Sequence, residues 1–513
     1  MSTLKTVRVL QLGTKDFRQL MPVSECAEWC YEPDFSQLPE KDFDVVILDR
    51  EITRDEFDFL VRFTKAYTLF ITETLSSKKN AIVQQLVVRR KGKPVSREEL
   101  ETLLKVELPD YFPKSYGEKM YPDYLSVAHG FSGRVFWRGY EGVHLIGDFG
   151  EALTQAVFWR LNLPIESGQA IDFWLEYAKD TSVEIALEIT VFYLKYGMPV
   201  SEKVWTFSER DLEDIVSIEN NENRQGRIFI SLKARGSGRL TITALHDRYS
   251  RRGKGTFLPG GGRRVTSDRE EVFYYFDPGN LVPPLNVYFS GYKTEEGFEG
   301  YHLMRSLGHP FLLIAEARLQ GGALYMGSEE YENMLEQVIR DCMEELGFRN
   351  SDVLLSGISG GSYGALWYGC KICPHTILIG KAVANIGDIA ENERINRPDG
   401  FPPSLDILHW FTGSLTLDAA KRLNNRFWDL FDQVDWSGTQ FAVAYMIEDD
   451  YDNKAYEMLQ SHLRGAGAKI YGKGLHGRHN DDSKGIVSWF VNQYQRILRE
   501  DFGDGRSETD GEI

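Results

Sequence analysis

The segment Val353-Leu-Leu-Ser-Gly-Ile-Ser-Gly-Gly-Ser-Tyr-Gly-Ala-Leu-Trp-Tyr-Gly-Cys370 joins a short apolar run to a glycine-rich turn and a second apolar run. The first run, Val353 to Ser356, predicts a buried strand, and the run that starts at Ala365 predicts a helix. Between them, Gly360-Gly-Ser-Tyr-Gly364 has the spacing G-x-S-x-G. A sharp strand-to-helix turn of this kind holds its serine in a strained conformation and projects the hydroxyl. We therefore interpret Ser362 as the nucleophile of a serine acyl-transfer site.

A nucleophilic serine needs a base, and the base needs an acid that orients it. In enzymes with this turn the chain order is serine, acid, histidine. A predicted strand from Phe441 to Ile447 runs into Glu448-Asp-Asp-Tyr-Asp452, which has four carboxylates in five residues. The loop before the last predicted helix is Gly474-Leu-His-Gly-Arg-His-Asn480. The pattern leaves the acid open among Glu448, Asp449 and Asp450, and the base open between His476 and His479.

Two backbone N–H groups are expected to stabilise the oxyanion that forms during acyl transfer. The first follows the nucleophile directly, which gives the N–H of Tyr363. The second comes from the loop after the first strand of the domain, Leu285 to Ser290, which gives Gly291 or Tyr292.

Strands and helices alternate through the C-terminal part of the chain. Leu285–Ser290 and Pro310–Ala315 are apolar runs of strand length. Glu329–Leu346 has its apolar residues on one helical face, with Ser328 as a suitable N-cap and Gly347 as a stop. The pattern predicts a catalytic domain of the α/β-hydrolase type over residues 283–500, followed by a disordered, acidic tail over 501–513.

The preceding parts of the chain predict two further domains. Residues 1–125 contain apolar runs separated by helix-length spacers, which indicate a parallel sheet buried on both faces: Val7–Leu12, Phe43–Leu48 and Thr68–Thr72. Residues 130–280 contain runs with a two-residue period, which indicate an antiparallel β-sandwich: Val183–Tyr193, Arg227–Leu232 and Arg239–Leu245. The predicted fold class is therefore α/β, with a C-terminal α/β-hydrolase domain preceded by a small α/β domain and a β-sandwich.

A basic, glycine-rich segment from Arg248 to Arg264 stands out in this acidic chain. It carries Arg248, Arg251, Arg252, Lys254, Arg263 and Arg264. Its glycines predict a loop. Two interpretations remain open: a solvated, mobile connection, or a contact for an anion or a partner, since guanidinium groups bind carboxylate and phosphate well.

The composition narrows the classes of function. The chain has 513 residues, and its 59 basic and 76 acidic side chains give a net charge of −17, which argues against general nucleic-acid binding. The chain contains no run of 18 or more apolar residues, so we predict no integral membrane segment. The first residues lack the layout of a signal peptide, and five cysteines fit a reducing compartment, so we expect a cytoplasmic protein. Cys370 and Cys373 have no second pair to complete a zinc site, and we predict neither metal nor cofactor.

Several of these motifs together resemble a known family, the acetyltransferase-like component of the accessory Sec system. That pathway exports serine-rich-repeat adhesins in streptococci and staphylococci. The resemblance covers nearly the whole chain and depends on four stretches: Gly360-Gly-Ser-Tyr-Gly-Ala365, Phe441-Ala-Val-Ala-Tyr-Met-Ile-Glu-Asp-Asp450, Gly477-Arg-His-Asn-Asp481, and Phe257-Leu-Pro-Gly-Gly261. It implies Ser362 as nucleophile, His479 as base and Asp449 as acid, with Glu448 as a rival because relatives can carry glutamate at the acid position.

The resemblance also implies a function. Such a protein O-acetylates N-acetylglucosamine on the glycosylated adhesin and supports its export together with sister accessory Sec proteins and the dedicated motor ATPase. It would work in the cytoplasm or peripherally at the membrane translocase. The alternatives are a carbohydrate esterase, in which water replaces the sugar as acceptor, and a non-enzymatic export scaffold.

Overall fold

Three β-sheets organise the chain in a computed structural model, which describes residues 6–38, 40–195 and 197–503. The sequence predicts an acidic tail over residues 501–513. The part of this tail from residue 504 onward lies outside the described residues. None of the helices in the described ranges is both long enough and apolar enough to cross a membrane.

The first sheet has five parallel strands in the order β2-β1-β3-β4-β5. Every residue of β1 and β3 is buried, and two separate apolar clusters cover the two faces, as the continuous apolar runs predict. Its strands are β1 (Val7–Leu12), β2 (Ala27–Tyr31), β3 (Val45–Leu48), β4 (Leu69–Thr72) and β5 (Lys93–Val95). Its helices are α1 (Arg54–Phe63), α2 (Glu73–Ser77), α3 (Ala81–Arg89) and α4 (Arg97–Thr102).

The second sheet has ten strands, all paired antiparallel, that enclose one apolar core. They are β6 (Gly117–Met120), β7 (Leu125–Val127), β8 (Arg134–Arg138), β9 (Gly142–Trp159), β10 (Leu163–Ile165), β11 (Ala170–Lys179), β12 (Val183–Lys195), β13 (Met198–Ser208), β14 (Val216–Glu219) and β15 (Gly226–Tyr249). The two strands predicted over Arg227–Leu232 and Arg239–Leu245 are one strand, β15, of 24 residues. The register of β15 against β9 shifts around Gly236, so one long strand serves both halves of the sheet.

The third sheet has eight strands in the order β16-β17-β19-β18-β20-β21-β22-β23, parallel from β19 to β23. They are β16 (Gly262–Val265), β17 (Glu271–Asp277), β18 (Leu285–Phe289), β19 (Phe311–Glu316), β20 (Val353–Ile358), β21 (Thr376–Gly380), β22 (Gln440–Met446) and β23 (Lys469–Leu475). The antiparallel strands β16 and β17 lie within the region predicted as sandwich, 130–280, but hydrogen-bond to this sheet. The predicted start of the third domain at residue 283 is therefore too late.

Eight helices flank the third sheet: α5 (Tyr301–Leu307), α6 (Glu329–Leu346), α7 (Gly360–Ile372), α8 (Ile386–Ile395), α9 (Pro403–Thr412), α10 (Leu417–Phe431), α11 (Ala455–His462) and α12 (Ser483–Asp501). Helix α6 has the predicted bounds: the Ser328 hydroxyl accepts the Tyr331 N–H at its start, and Gly347 ends it in a left-handed conformation. Helices α8, α9 and α10 all come between β21 and β22. They therefore follow the carboxyl end of β21, the edge of the sheet where ligands bind in open α/β folds.

The basic segment 248–264 is an internal connection between sheets. Each of its six basic side chains contacts a carboxylate or a carbonyl oxygen of the chain itself. Arg251, for example, is 1% exposed and donates to the carbonyl oxygens of Asp110, Phe112 and Phe257. Neither sequence interpretation, a mobile connection or a contact for an external anion or partner, describes Arg248, Arg251 and Arg263, which are at most 12% exposed and paired within the chain.

Seven charged or titratable side chains form one buried charge cluster between the second and third sheets. They are Lys119, Glu176, His246 and Arg248 of the second sheet, Arg263 and Glu271 of the third, and Glu296 in the loop after β18. Both ring nitrogens of His246 face carboxylate oxygens, so the ring donates from both. Burial alone would lower the pKa of His246, but the charges of Glu296 and Glu176 raise it.

Candidate active site

The turn after β20 places a serine where a nucleophile is expected, and that serine is Ser359. Strand β20 runs to Ile358, and α7 begins at Gly360. Ser359 lies between them with φ 55° and ψ −122°, a conformation that L residues rarely adopt. A strained serine at a strand-to-helix turn is the hallmark of a nucleophile elbow.

The glycines on either side of Ser359 are required by close backbone contacts. A Cβ atom on Gly357 would lie 2.2 Å from the carbonyl oxygen of Gly361. A Cβ atom on Gly361 would lie 2.1 Å from the carbonyl oxygen of Phe289, in the neighbouring strand β18. Both distances are far below van der Waals contact, so the G-x-S-x-G pattern that the turn itself requires is Gly357-Ile-Ser-Gly-Gly361.

A chain of two hydrogen bonds links Ser359 to His479 and Asp449. Oγ of Ser359 lies 2.8 Å from Nε2 of His479, and Nδ1 of His479 lies 2.9 Å from Oδ2 of Asp449. A carboxylate can only accept, so Nδ1 carries the proton and Nε2 is left to accept from Ser359. The structure therefore brings together a hydroxyl, a base and an acid in the arrangement that activates a serine.

Burial and backbone contacts hold this arrangement in place. His479 and Asp449 are 1% and 6% exposed, whereas Ser359 is half-buried. The second oxygen of Asp449 accepts the N–H groups of Tyr451 (2.8 Å) and Asp452 (3.2 Å). Burial alone would raise the pKa of Asp449, but the hydrogen bond with His479 and these N–H groups lower it. The carboxylate thus stays ionised.

Ser362, which the sequence analysis assigns as nucleophile, has a structural role instead. It is fully buried on α7, where its Oγ donates to the carbonyl oxygen of Ser359 (2.6 Å) and accepts the N–H of Val383 (3.0 Å). The assignment is therefore wrong by three residues. The missed signal is the overlapping motif Gly357-Ile-Ser-Gly-Gly361, which shares two glycines with Gly360-Gly-Ser-Tyr-Gly364.

The alternatives for the acid and the base lie apart from Ser359. Glu448 and His476 are exposed, and their side chains pair with each other at 3.0 Å. Asp450 accepts the backbone N–H of His479 (3.0 Å) and pairs with Arg397 (2.9 Å). Of the candidates, only Asp449 reaches the His479 ring among the described contacts.

With Ser359 instead of Ser362 at the turn, the candidate oxyanion donors differ from those predicted from the sequence. The first N–H after Ser359 belongs to Gly360, while Tyr363 lies one turn further into α7. The N–H of Gly291 is already donated to Oε2 of Glu299 (2.8 Å). A Cβ atom on Gly360 would lie 3.4 Å from the backbone nitrogen of Tyr292, and both residues line one small cavity. Gly360 and Tyr292 are therefore the candidate donors, and neither Tyr363 nor Gly291 fits the role.

One group of side chains elsewhere has the ligand types of a metal site. Oxygen and nitrogen atoms of Glu176, His246 and Glu271 lie within 4.8 Å of one another. They belong to the buried charge cluster, where Arg248 donates to both oxygens of Glu271 at 2.9 and 2.6 Å. Lys119 lies 3.7 Å from Glu176. Because these carboxylates already face cationic side chains, we assign no metal to them.

Comparison with known proteins identifies the family. A family model described as the accessory Sec system GspB-transporter matches residues 7–504. An accessory Sec system protein of Streptococcus gordonii is 37% identical over 515 residues, which cover 97% of this chain and 99% of that protein. The corresponding protein of Staphylococcus aureus is 35% identical over 513 residues, which cover 97% of either chain.

A solved structure agrees with this identification. It is that of the Glycosylation Associate Protein (Gap123) complex from Streptococcus agalactiae. One chain of it superposes with a TM-score of 0.85 at 33% identity, covering 98% of this chain and 100% of that one. The family resemblance predicted from the sequence is confirmed: the chain belongs to the accessory Sec system GspB-transporter family.

Proposed function

We propose that the protein is a serine O-acetyltransferase that acetylates N-acetylglucosamine on a glycosylated serine-rich-repeat adhesin. The observation that carries this proposal is the hydrogen-bonded series Ser359, His479 and Asp449 at a strained strand-to-helix turn. The order of these residues along the chain supports it, because serine, acid and histidine follow one another in this order in α/β-hydrolases. The serine, the acid and the histidine follow the fifth, seventh and eighth strands of the third sheet.

The residues support a two-step acyl transfer. Nε2 of His479 takes the proton of Ser359 as Oγ attacks the acetyl carbonyl carbon of the donor, and the N–H groups of Gly360 and Tyr292 stabilise the oxyanion. The intermediate collapses, the donor's leaving group departs with the proton from His479, and an acetyl ester remains on Ser359. A sugar hydroxyl then attacks this ester and gives its proton to His479. Collapse returns the proton to Ser359 and releases the acetylated sugar.

Membership of the family supports a second role, in export of the adhesin. The related chain from Streptococcus agalactiae is part of the Glycosylation Associate Protein (Gap123) complex. We extend this to assembly of the present protein with sister accessory Sec proteins, and to work alongside the dedicated motor ATPase at the cytoplasmic face of the translocase. No cofactor is needed for the chemistry above, since the chain supplies nucleophile, base, acid and oxyanion donors.

A product analysis tests the enzymatic proposal. The purified protein is incubated with p-nitrophenyl acetate and a peptide that carries N-acetylglucosamine, and the products are examined by mass spectrometry. We expect sugar that has gained one acetyl group. Free acetate as the sole product would instead indicate a carbohydrate esterase, and no release of p-nitrophenol would leave a non-enzymatic export scaffold.

A further inference from the structure

Three aromatic rings lie in a row beside His479, the residue that is hydrogen-bonded to Ser359. The Tyr451 ring stacks on the His479 ring with centroids 4.3 Å apart. The Phe401 ring lies 5.7 Å from that of Tyr451 and 5.3 Å from that of Tyr292. Because Tyr292 also carries a candidate oxyanion N–H, the rings form a continuous wall from the oxyanion side of the site to the base.

The wall is open to solvent yet held in position. Tyr292 is 37% exposed, and Phe401 and Tyr451 are partly exposed. The Phe401 N–H donates to Glu393 (2.5 Å), and the Tyr451 hydroxyl donates to the carbonyl oxygen of Gly400 (3.1 Å). The Arg397 guanidinium lies 4.1 Å from the centre of the Tyr451 ring. Aromatic groups fixed in advance bind a ligand at a low cost in entropy.

We propose that Tyr292 and Phe401, with Tyr451 as their support, form the acceptor subsite, on which a pyranose ring packs with one hydroxyl directed at Ser359; this rests on the proposed transferase function. A pyranose has an apolar C–H face that matches an aromatic wall and polar edges that stay in solvent. A sugar seated there displaces water from the face of the acetyl ester. The wall would therefore decide whether sugar or water accepts the acetyl group.

The test is to shorten the middle ring and to measure how the acetyl group divides between acceptors. Wild type, Phe401→Ala, Phe401→Leu and Phe401→Tyr are given p-nitrophenyl acetate and the sugar-bearing peptide. We expect the ratio of acetylated sugar to free acetate to fall about fivefold or more in the alanine and leucine variants. Phe401→Tyr keeps the ring and should restore the ratio. Phe136→Ala, which removes an exposed aromatic ring on β8, is the matched control and should not change it.

Each other result has a distinct meaning. An unchanged ratio in both Phe401→Ala and Phe401→Leu would overturn the acceptor subsite. A fall in total p-nitrophenol release at a constant ratio would mean that the wall binds the acetyl donor. That result would also overturn the acceptor subsite. If the wild type acetylates no sugar at all, the proposed transferase function is contradicted, and the acceptor subsite is contradicted with it.

A second set of contacts concerns the loop that carries Tyr292, residues 290–300, which is anchored to the second sheet. The Glu296 N–H donates to the carbonyl oxygen of Gly117 (2.8 Å). The Glu296 carboxylate accepts Nε of Arg248 (2.5 Å) and contacts Nδ1 of His246. Burial alone would raise the pKa of Glu296, but Arg248 and His246 lower it to about 2. The loop is thus fixed to the buried charge cluster four residues after Tyr292.

We infer that Glu296 is a positioning residue, which holds the Tyr292 N–H beside Gly360 by fixing this loop to the second sheet; this too rests on the proposed function. A donor placed in advance stabilises an oxyanion without rearrangement at the moment of reaction. The position of the second sheet therefore determines the geometry of the oxyanion site. Glu271 lies in the same cluster but on β17, outside the loop.

That difference provides the test. Glu296→Gln and Glu271→Gln each remove one buried carboxylate from the cluster, so both should lower the melting temperature. Only Glu296→Gln is expected to lower kcat for p-nitrophenyl acetate about tenfold or more, with KM little changed. Glu296→Asp, which keeps the charge, should recover part of kcat and covers the case in which the glutamine variant does not fold. Equal effects of Glu296→Gln and Glu271→Gln on kcat, or no effect of either, would reduce Glu296 to a purely structural residue.

Discussion

Replacement of Ser359 by alanine is expected to lower the rate of acetyl transfer by about 10⁴-fold or more. The reason is that the Ser359 hydroxyl is the group within hydrogen-bond distance of Nε2 of His479. Without it, the acetyl-enzyme ester cannot form, and only binding and the oxyanion donors remain. The measurements are the initial rate of p-nitrophenol release and the intact mass of the protein, which should show no bound acetyl group.

Ser362→Ala is the matched control for this change, because Ser362 lies three residues further along the chain, in the first turn of α7. Its hydroxyl is fully buried and accepts the Val383 N–H, which the change leaves without a partner. We expect a loss of about 1–3 kcal/mol in the free energy of unfolding and less than a tenfold loss of rate. The opposite outcome, an inactive Ser362→Ala protein and an active Ser359→Ala protein, would refute the assignment of the nucleophile made from the structure.

Asp449→Asn is expected to lower kcat by about 10⁴-fold, the loss seen when the acid of such a triad becomes an amide. The asparagine amide can donate to Nδ1 of His479, and the ring then carries its proton on Nε2. That tautomer cannot accept the proton of Ser359. The loss should appear in the rate of acetyl-enzyme formation, measured by stopped-flow release of p-nitrophenol.

The neighbouring Glu448→Gln serves as the control for Asp449. Glu448 is exposed and pairs with the exposed His476, away from the buried imidazole. Since a surface pair contributes little, we expect a rate within about twofold of the wild type. A large loss for Glu448→Gln with a small loss for Asp449→Asn would identify Glu448 as the acid, the rival that the sequence leaves open.

The sequence predicts the residue types of the candidate site better than the position of its serine. The order of serine, acid and histidine follows from strand and loop patterns, and Asp449 and His479 do lie together. The sequence points to Ser362 rather than to Ser359 because two G-x-S-x-G patterns overlap, and residue spacing carries no information about φ. The strand predicted to end at Ser356 continues to Ile358, so the turn falls at Ser359.

The same limit applies to the fold. The alternation of strand and helix predicts the mixed α/β architecture, and the parallel first sheet follows from its continuous apolar runs. Strand β17 has a strand pattern, but no local signal tells which of two sheets it joins. The basic segment is misread for a similar reason. The partner of Arg248 in the loop, Glu296, is 48 residues away along the chain, and charge pairing over such a distance leaves no pattern in composition.

The buried charge cluster also limits how this protein can be divided or recombined. A catalytic fragment that starts at residue 283 would lack β16, β17 and the second sheet. It would expose the apolar flank of β19 and leave Glu296 without Arg248 and His246. A chimaera that takes its second sheet from a relative has to inherit the 290–300 loop from the same parent. The second and third sheets are therefore separate in topology but a single unit for truncation and exchange.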